Sequence, residues 1–207
     1  MRSFTYKIDH DFGLAPNPFG GYCTLAVCKS DIRKNKNLEV GSWIFGTGAK
    51  SVGTQYFQKL IFCMKVEGKL TFNEYWNDKR FQYKKPMVNG SLVQMYGDNF
   101  YHQDAKGNWI QENSAHSKED GTPNNDHLIR DTGGVFVLFS TDFYYFGENA
   151  IMIPDKYIPT ICTDARNMAF ATPQETVDNF ISWLQGTYEK GVLYGDPISW
   201  SVHTKRK

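Results

Sequence analysis

A chain of 207 residues is long enough to bury the core of an ordinary domain, and we read a single domain over 1–207. With 23 Lys and Arg against 22 Asp and Glu the formal net charge is +1, which excludes a global pull toward polyanions, so any nucleic-acid contact has to come from local patches. Aromatic residues make up 15% of the chain, a content that suits pleated β surfaces and, at a few positions, the stacking of a base.

In chain order, Phe4, Tyr6 and Ile8 alternate and predict a first strand. Pro16, Pro18, Gly20 and Gly21 then write a shaped loop, each proline fixing φ and the glycines allowing φ > 0. Residues 22–28 predict a second strand. After a basic link over 29–36, the apolar run 42–45 predicts a third that stops at Gly46-Thr47-Gly48. Residues 55–66 are too continuously apolar for an exposed strand and predict one buried on both faces. Thr71-Phe72-Asn73-Glu74 is a capping box that starts a short helix over 72–78, with Trp76 packed inward.

The stretch 86–129 is polar and punctuated, with strand-like character only at 92–96 and Trp109-Ile110; a stretch of this kind is usually functional or mobile. Residues 133–140 return as a β-prone run. Of the four successive rings from Phe143 to Phe146, one half should enter the core and the other face a groove or a covering segment. The two prolines in 151–161 place that segment along a sheet edge. Thr172-Pro173-Gln174-Glu175 predicts an N-capped helix from Pro173 to about Lys190, with Val177, Phe180, Ile181, Leu184 and Tyr188 on one face. A last strand or extended tail closes the chain, and 205–207 should fray.

No apolar run reaches bilayer length and the first ten residues lack a signal-peptide stretch, so a cytoplasmic protein without membrane contact is expected. Cys23, Cys28, Cys63 and Cys162 form no CxxC pair; buried free thiols are expected, and neither a metal site nor a cofactor is.

Four groups of residues carry candidate chemistry. Trp43, Thr47 and Gly48 lie on a rim that offers backbone N–H groups to a base or phosphate, against the alternative of a tight turn. Tyr96, Asp98, Asn99, Tyr101 and His102 combine phenols, a carboxylate, a carboxamide and an imidazole able to read a base; the alternative is an Asx-turn between strands. His10, Asp11, His102, His116, Asp126, His127 and Asp131 are dispersed, and read as loop and surface residues rather than as ligands. Cys23 with a distant His could form a nucleophile pair, although nothing identifies the base. Two basic clusters, Arg33, Lys34, Lys36 and Lys79, Arg80, Lys84, Lys85, either track a nucleic-acid backbone or form a solvated surface.

The phrases APNPFGGYCTLAVCK, IRKNKNLEVGSWIFGTGAKS, KLIFCMKVEGKLTFNEYWND and STDFYYFGENA resemble the second nucleotide-modification-associated domain family of bacteria and phages, over about 4–154. The order of elements from the basic link to the capped helix is also similar to EVE and PUA-like barrels that bind bases. This resemblance implies an α+β fold, a bent and mostly antiparallel sheet forming a PUA-like barrel with two packed helices. It implies non-catalytic recognition of a nucleotide or modified nucleobase, possibly within DNA, in a DNA-modification or phage-conflict system. The pocket would be formed by Asn17, Gly20, Gly21 and Tyr22, the 43–48 rim and the 96–102 segment. An enzyme using Asp98 or His102 as acid or base, and an interaction module without a small ligand, are the competing readings.

Overall fold

Most of the apolar runs become strands in the computed structural model, which describes residues 2–165 and 167–204. In chain order the strands are β1 (Ser3–Ile8), β2 (Cys23–Leu25), β3 (Trp43–Gly48), β4 (Lys59–Lys65), β5 (Gly68–Thr71), β6 (Tyr101–Gln103), β7 (Trp109–Gln111), β8 (Phe136–Ser140), β9 (Phe143–Tyr145), β10 (Ile151–Met152), β11 (Ala169–Ala171) and β12 (Val192–Leu193). The α-helices are α1 (Ser30–Arg33), α2 (Phe72–Asn77), α3 (Leu92–Met95), α4 (Asn125–Thr132), α5 (Ile158–Ile161), α6 (Gln174–Thr187) and α7 (Ser201–Thr204). Packing groups the residues into two compact units: one takes the described residues up to Phe12, Asn35–Glu67 and those from Ser140 on; the other takes Gly13–Lys34 and Gly68–Phe139.

The first unit is a seven-stranded sheet in the order β11-β1-β3-β4-β9-β12, with β10 added on β4. Most pairs are antiparallel, but β1 runs parallel to β3 and β9 parallel to β12. Against one face lies α6, whose Val177, Phe180, Ile181 and Leu184 recur at helical spacing and pack on Trp43, Phe45, Cys63 and Tyr144. Trp43 and Phe45 share that face, as period-two geometry requires, with near-parallel rings 6.3 Å apart. On the other face Tyr145 donates to buried Asp11 at 2.7 Å. All four rings from Phe143 to Phe146 are buried, so of the two expected surroundings for the second half, a groove or a covering segment, an open groove is ruled out.

Gly46-Thr47-Gly48 does not end β3 but continues it. The glycines are there because the neighbours leave no room: a Cβ at Gly46 would lie 2.4 Å from the Phe62 ring, and one at Gly48 2.1 Å from the Tyr56 carbonyl oxygen.

In the second unit β2, β8 and β5 form a three-stranded sheet and β6 with β7 a two-stranded ribbon. The capping box at α2 is present, Thr71 and Glu74 satisfying each other's backbone N–H groups, but the fully buried ring of this helix is Tyr75 and not Trp76. The run 92–96 is a turn of helix, because Ser91 and Gln94 form a second capping box ahead of it.

The α+β content agrees with expectation, whereas the sheets are not closed into the expected barrel: β11 and β12 end the large sheet without pairing to each other. The long helix also starts differently. Its N-cap position is Pro173, without a side-chain cap, and exposed Thr172 contributes only a carbonyl that accepts from Thr160. The expected fraying at 205–207 lies outside the described residues. Among the described residues no helix is long and apolar enough to cross a membrane.

Two substitutions separate these arrangements by urea unfolding. Trp43→Ala should cost about 3–5 kcal/mol, as a large ring removed from a core does, whereas Thr172→Ala should stay within about 0.5 kcal/mol. A cap-sized loss at Thr172 would return the N-cap to that residue.

Candidate functional site

The second unit holds three arrangements of polar side chains. The first gathers much of the sequence-predicted set, but as an interior network. Asn17 is buried and donates from Nδ2 to the Tyr96 carbonyl at 3.0 Å, while its Oδ1 accepts from Lys84 Nζ at 2.6 Å. Asp98 accepts from Thr24 Oγ1 and from the Tyr75 hydroxyl, both at 2.6 Å. Asn99 donates to the carbonyls of Tyr75 and Phe81. Burial pushes the Asp98 carboxyl up and Lys84 down to about 8, each partly held toward its charged form by the other. Burial likewise raises the Cys23 thiol to about 12, far from a nucleophile's range. Gly20 and Gly21 adopt φ of 71° and 82°, and Tyr83 closes over this loop by donating to the Phe19 and Gly20 carbonyls. Tyr22 packs edge-on against Phe81. This network is a fastening for the 17–22 loop.

The second arrangement opens to solvent. A groove of about 340 Å³ is lined by Trp76, Lys85, Met87, Asn89, Glu112 and Asn113 among others. His102 stacks on Trp76 with centroids 4.1 Å apart and meets Glu112 Oε1 through Nε2 at 2.9 Å. Lys85 Nζ stands 3.4 Å from the same indole centroid. Groups this close to one ring cannot share a face, so the imidazole and the ammonium sandwich it. Partial burial pushes the Lys85 ammonium down, and the Glu112 charge opposes that.

The third is a hydrogen-bonded cluster. Asn124 caps α4 by accepting from the N–H groups of Asp126 and His127, and one turn on His127 and Asp131 share a face at i,i+4. The buried Asp131 carboxylate accepts from His116 Nδ1 at 2.6 Å, from the Tyr101 hydroxyl at 3.1 Å and from the Cys28 N–H at 3.0 Å. His116 Nε2 points to Cys28 Sγ at 3.9 Å. His127 stands edge-on to His116 at 4.5 Å, and its Nδ1 is buried without a hydrogen-bond partner.

Burial works against a charged His116, but the bond to Asp131 and the contact with Cys28 win and raise the imidazole to about 9. Asp131 is held down in spite of burial, chiefly by His116, and burial with the neighbouring His116 charge lowers His127. The ligand-type atoms of His116, His127 and Asp131 lie within 4.8 Å of one another, close enough to consider a cation. The 2.6 Å separation of His116 and Asp131 is a direct hydrogen bond, shorter than the roughly 3.3 Å between two ligands of one tetrahedral ion.

Trp43, Thr47 and Gly48 belong to the interior of the first unit and join none of these arrangements. Tyr96 and Asp98 are buried and do not line this groove, Tyr101 belongs to the Asp131 cluster, and His102 meets the groove only through its contacts with Trp76 and Glu112. The basic clusters divide: Lys34, Lys36, Lys79 and Arg80 are exposed, whereas Arg33 is fully buried, donating to the carbonyls of Cys28, Phe136 and Asp131, and Lys84 is buried too. Sequence reasoning missed Cys28, His116 and Asp131 as a unit. One signal was available, the i,i+4 spacing of His127 and Asp131 behind an Asn cap; the joining of His116 and Cys28 to them is long-range.

A family model described as nucleotide modification associated domain 2 matches residues 1–204. No curated protein and no solved structure matches the chain.

The His116 shift has a signed consequence for stability. An imidazole raised above the ordinary 6.5 contributes stabilisation that is complete below about 6.5 and is lost as pH climbs through about 9. Lys84, lowered to about 8, changes with the opposite sign over an overlapping range. The difference in urea stability between the parent and His116→Gln should therefore shrink steadily between these limits. A pH-independent difference would show that the imidazole is not held in its charged form.

Proposed function

The chain belongs to the nucleotide modification associated domain 2 family, and on that premise we propose that it recognises a nucleotide or modified nucleobase in a DNA-modification or phage-conflict system. The observation that carries this reading is the indole of Trp76 at the groove, stacked on His102 and covered by a displaceable ammonium. A base takes the face that Lys85 covers, and the released ammonium reaches the phosphate. Asn89, Asn113 and Glu112 supply donors and acceptors for the base edge. The volume of about 340 Å³ falls at the small end of ligand sites, as a single nucleotide requires. The order of elements similar to EVE and PUA-like base binders supports the same ligand class, although the sheets here stay open. Trp43 is no part of this recognition surface, because its ring packs in the core of the first unit.

Calorimetric titration with canonical and modified nucleotides, and with oligonucleotides carrying the same bases, tests this reading. Trp76→Leu should weaken the best ligand by roughly 1–3 kcal/mol, the worth of one base–aromatic stack, and leave thermal stability nearly unchanged. A parent protein that binds none of the panel, or a variant that binds as tightly as the parent, would count against the groove and favour an interaction module.

A further inference from the structure

We propose that Cys28, His116 and Asp131 form a thiol nucleophile site for acyl transfer, with an ester, thioester or activated amide as substrate class. Three features carry this assignment, and none depends on the groove. The thiol sits at a strand-to-helix turn between β2 and α1, where Cys28 and Lys29 adopt left-handed backbone conformations with φ of 54° and 38°. Such a conformation is uncommon for a non-glycine residue and presents the side chain at the turn. Cys28 is half-buried, whereas Cys23 and Cys63 are enclosed.

The base is in place, His116 Nε2 standing 3.9 Å from Sγ. Its other nitrogen donates to a carboxylate that is itself fully buried and bonded by the Tyr101 hydroxyl and the Cys28 N–H. A nucleophile, a base within reach and a third group orienting the base is the arrangement that activates a weak nucleophile. Held in its charged form at neutral pH, the imidazolium keeps on Nε2 the proton that Cys28 gives up, pairs with the thiolate at Sγ and can hand that proton to a leaving group, which acyl transfer needs.

The chemistry closes on these groups. Cys28 Sγ attacks the carbonyl carbon, the S–C bond forms and the thiol proton resides on His116 Nε2. The tetrahedral adduct collapses, the bond from carbon to the leaving oxygen, sulfur or nitrogen breaks, and Nε2–H protonates the departing group. The acyl group is then a thioester on Cys28. Water, giving a proton to Nε2, attacks that carbonyl, and release of the carboxylic acid returns the proton to sulfur. Asp131 is a positioning residue throughout.

The test uses para-nitrophenyl acetate with the full chain at about pH 7, following nitrophenolate release and locating the acetyl group by peptide mass mapping. The parent should acetylate on Cys28, and Cys28→Ser should lose that adduct while melting as the parent does. His116→Gln should slow acetylation of Cys28 roughly 100-fold, the lower range for loss of a general base. Asp131→Asn should alter the pH profile as well as the rate. Should the His116 or Asp131 variant fail to fold, the parent decides alone by comparison with glutathione. Cys28 acetylated much faster than glutathione at every pH below about 8 supports the site, and parity overturns it. Equal rates in parent and His116→Gln, acetylation confined to other residues, or a retained zinc ion that leaves Cys28 unreactive would each overturn it too.

Discussion

The second unit depends on a buried guanidinium. Arg33 is fully enclosed, and each of its three guanidinium nitrogens donates to a carbonyl oxygen, of Cys28, Phe136 or Asp131. Removing such a charge from water is costly unless it is hydrogen-bonded, and the rigid fork of Arg allows it to bind three acceptors at once. Burial lowers it to about 10, still well above neutrality. The contact also dictates the chain around it: a Cβ at Gly134 would lie 2.3 Å from the guanidinium carbon, so only glycine fits there. By clamping the end of α4, the start of β8 and the turn after β2 together, one side chain sets Cys28 beside Asp131. A lysine would carry the charge but not that geometry.

The β6–β7 ribbon distributes this order to two surfaces. Neighbouring residues on a strand point to opposite sides, so Tyr101 turns to Asp131 while His102 turns to Trp76 and Glu112. The groove and the thiol cluster are therefore organised from opposite faces of one short ribbon. The groove side is polar and open, with the indole sandwiched between imidazole and ammonium. The cluster side is enclosed, which opposes a charged His116, and it is the bond to Asp131 with the contact to Cys28 that sets the upward direction of the shift.

The first unit shows where most of the aromatic content goes. Phe4, Tyr6, Phe45, Phe62 and the rings of β9 are all buried, arranged on both faces of one sheet, with Phe45 edge-on to Phe180 of α6 at 5.7 Å. Rings packed in this way contribute area burial and edge-to-face contacts. They leave few available for a ligand, which is why Trp76, half-buried at a groove, stands out from a chain so rich in aromatics.

What the sequence determined by itself was local. Period-two alternation marked β1, continuous apolar runs marked β3 and β4, the Thr71 to Glu74 box marked α2, and the i, i+3, i+4 recurrence of Val177, Phe180, Ile181 and Leu184 marked the buried face of α6. These signals act over a few bonds, so they are readable one stretch at a time. The family, too, was legible from short phrases along the chain. Tertiary structure decided the rest. Gly46 to Gly48 read as the stop after a strand, but β3 runs on through them, and the close approach of Phe62 and Tyr56 leaves no room for a side chain at either glycine. Asp98 and Lys84 carry ordinary surface charges, and packing encloses both. Cys28 lies 88 residues from His116, and His116 lies 15 from Asp131. No local pattern encodes such separations, because the free energy that joins them comes from burying Arg33 and the surrounding apolar surface, not from neighbouring residues.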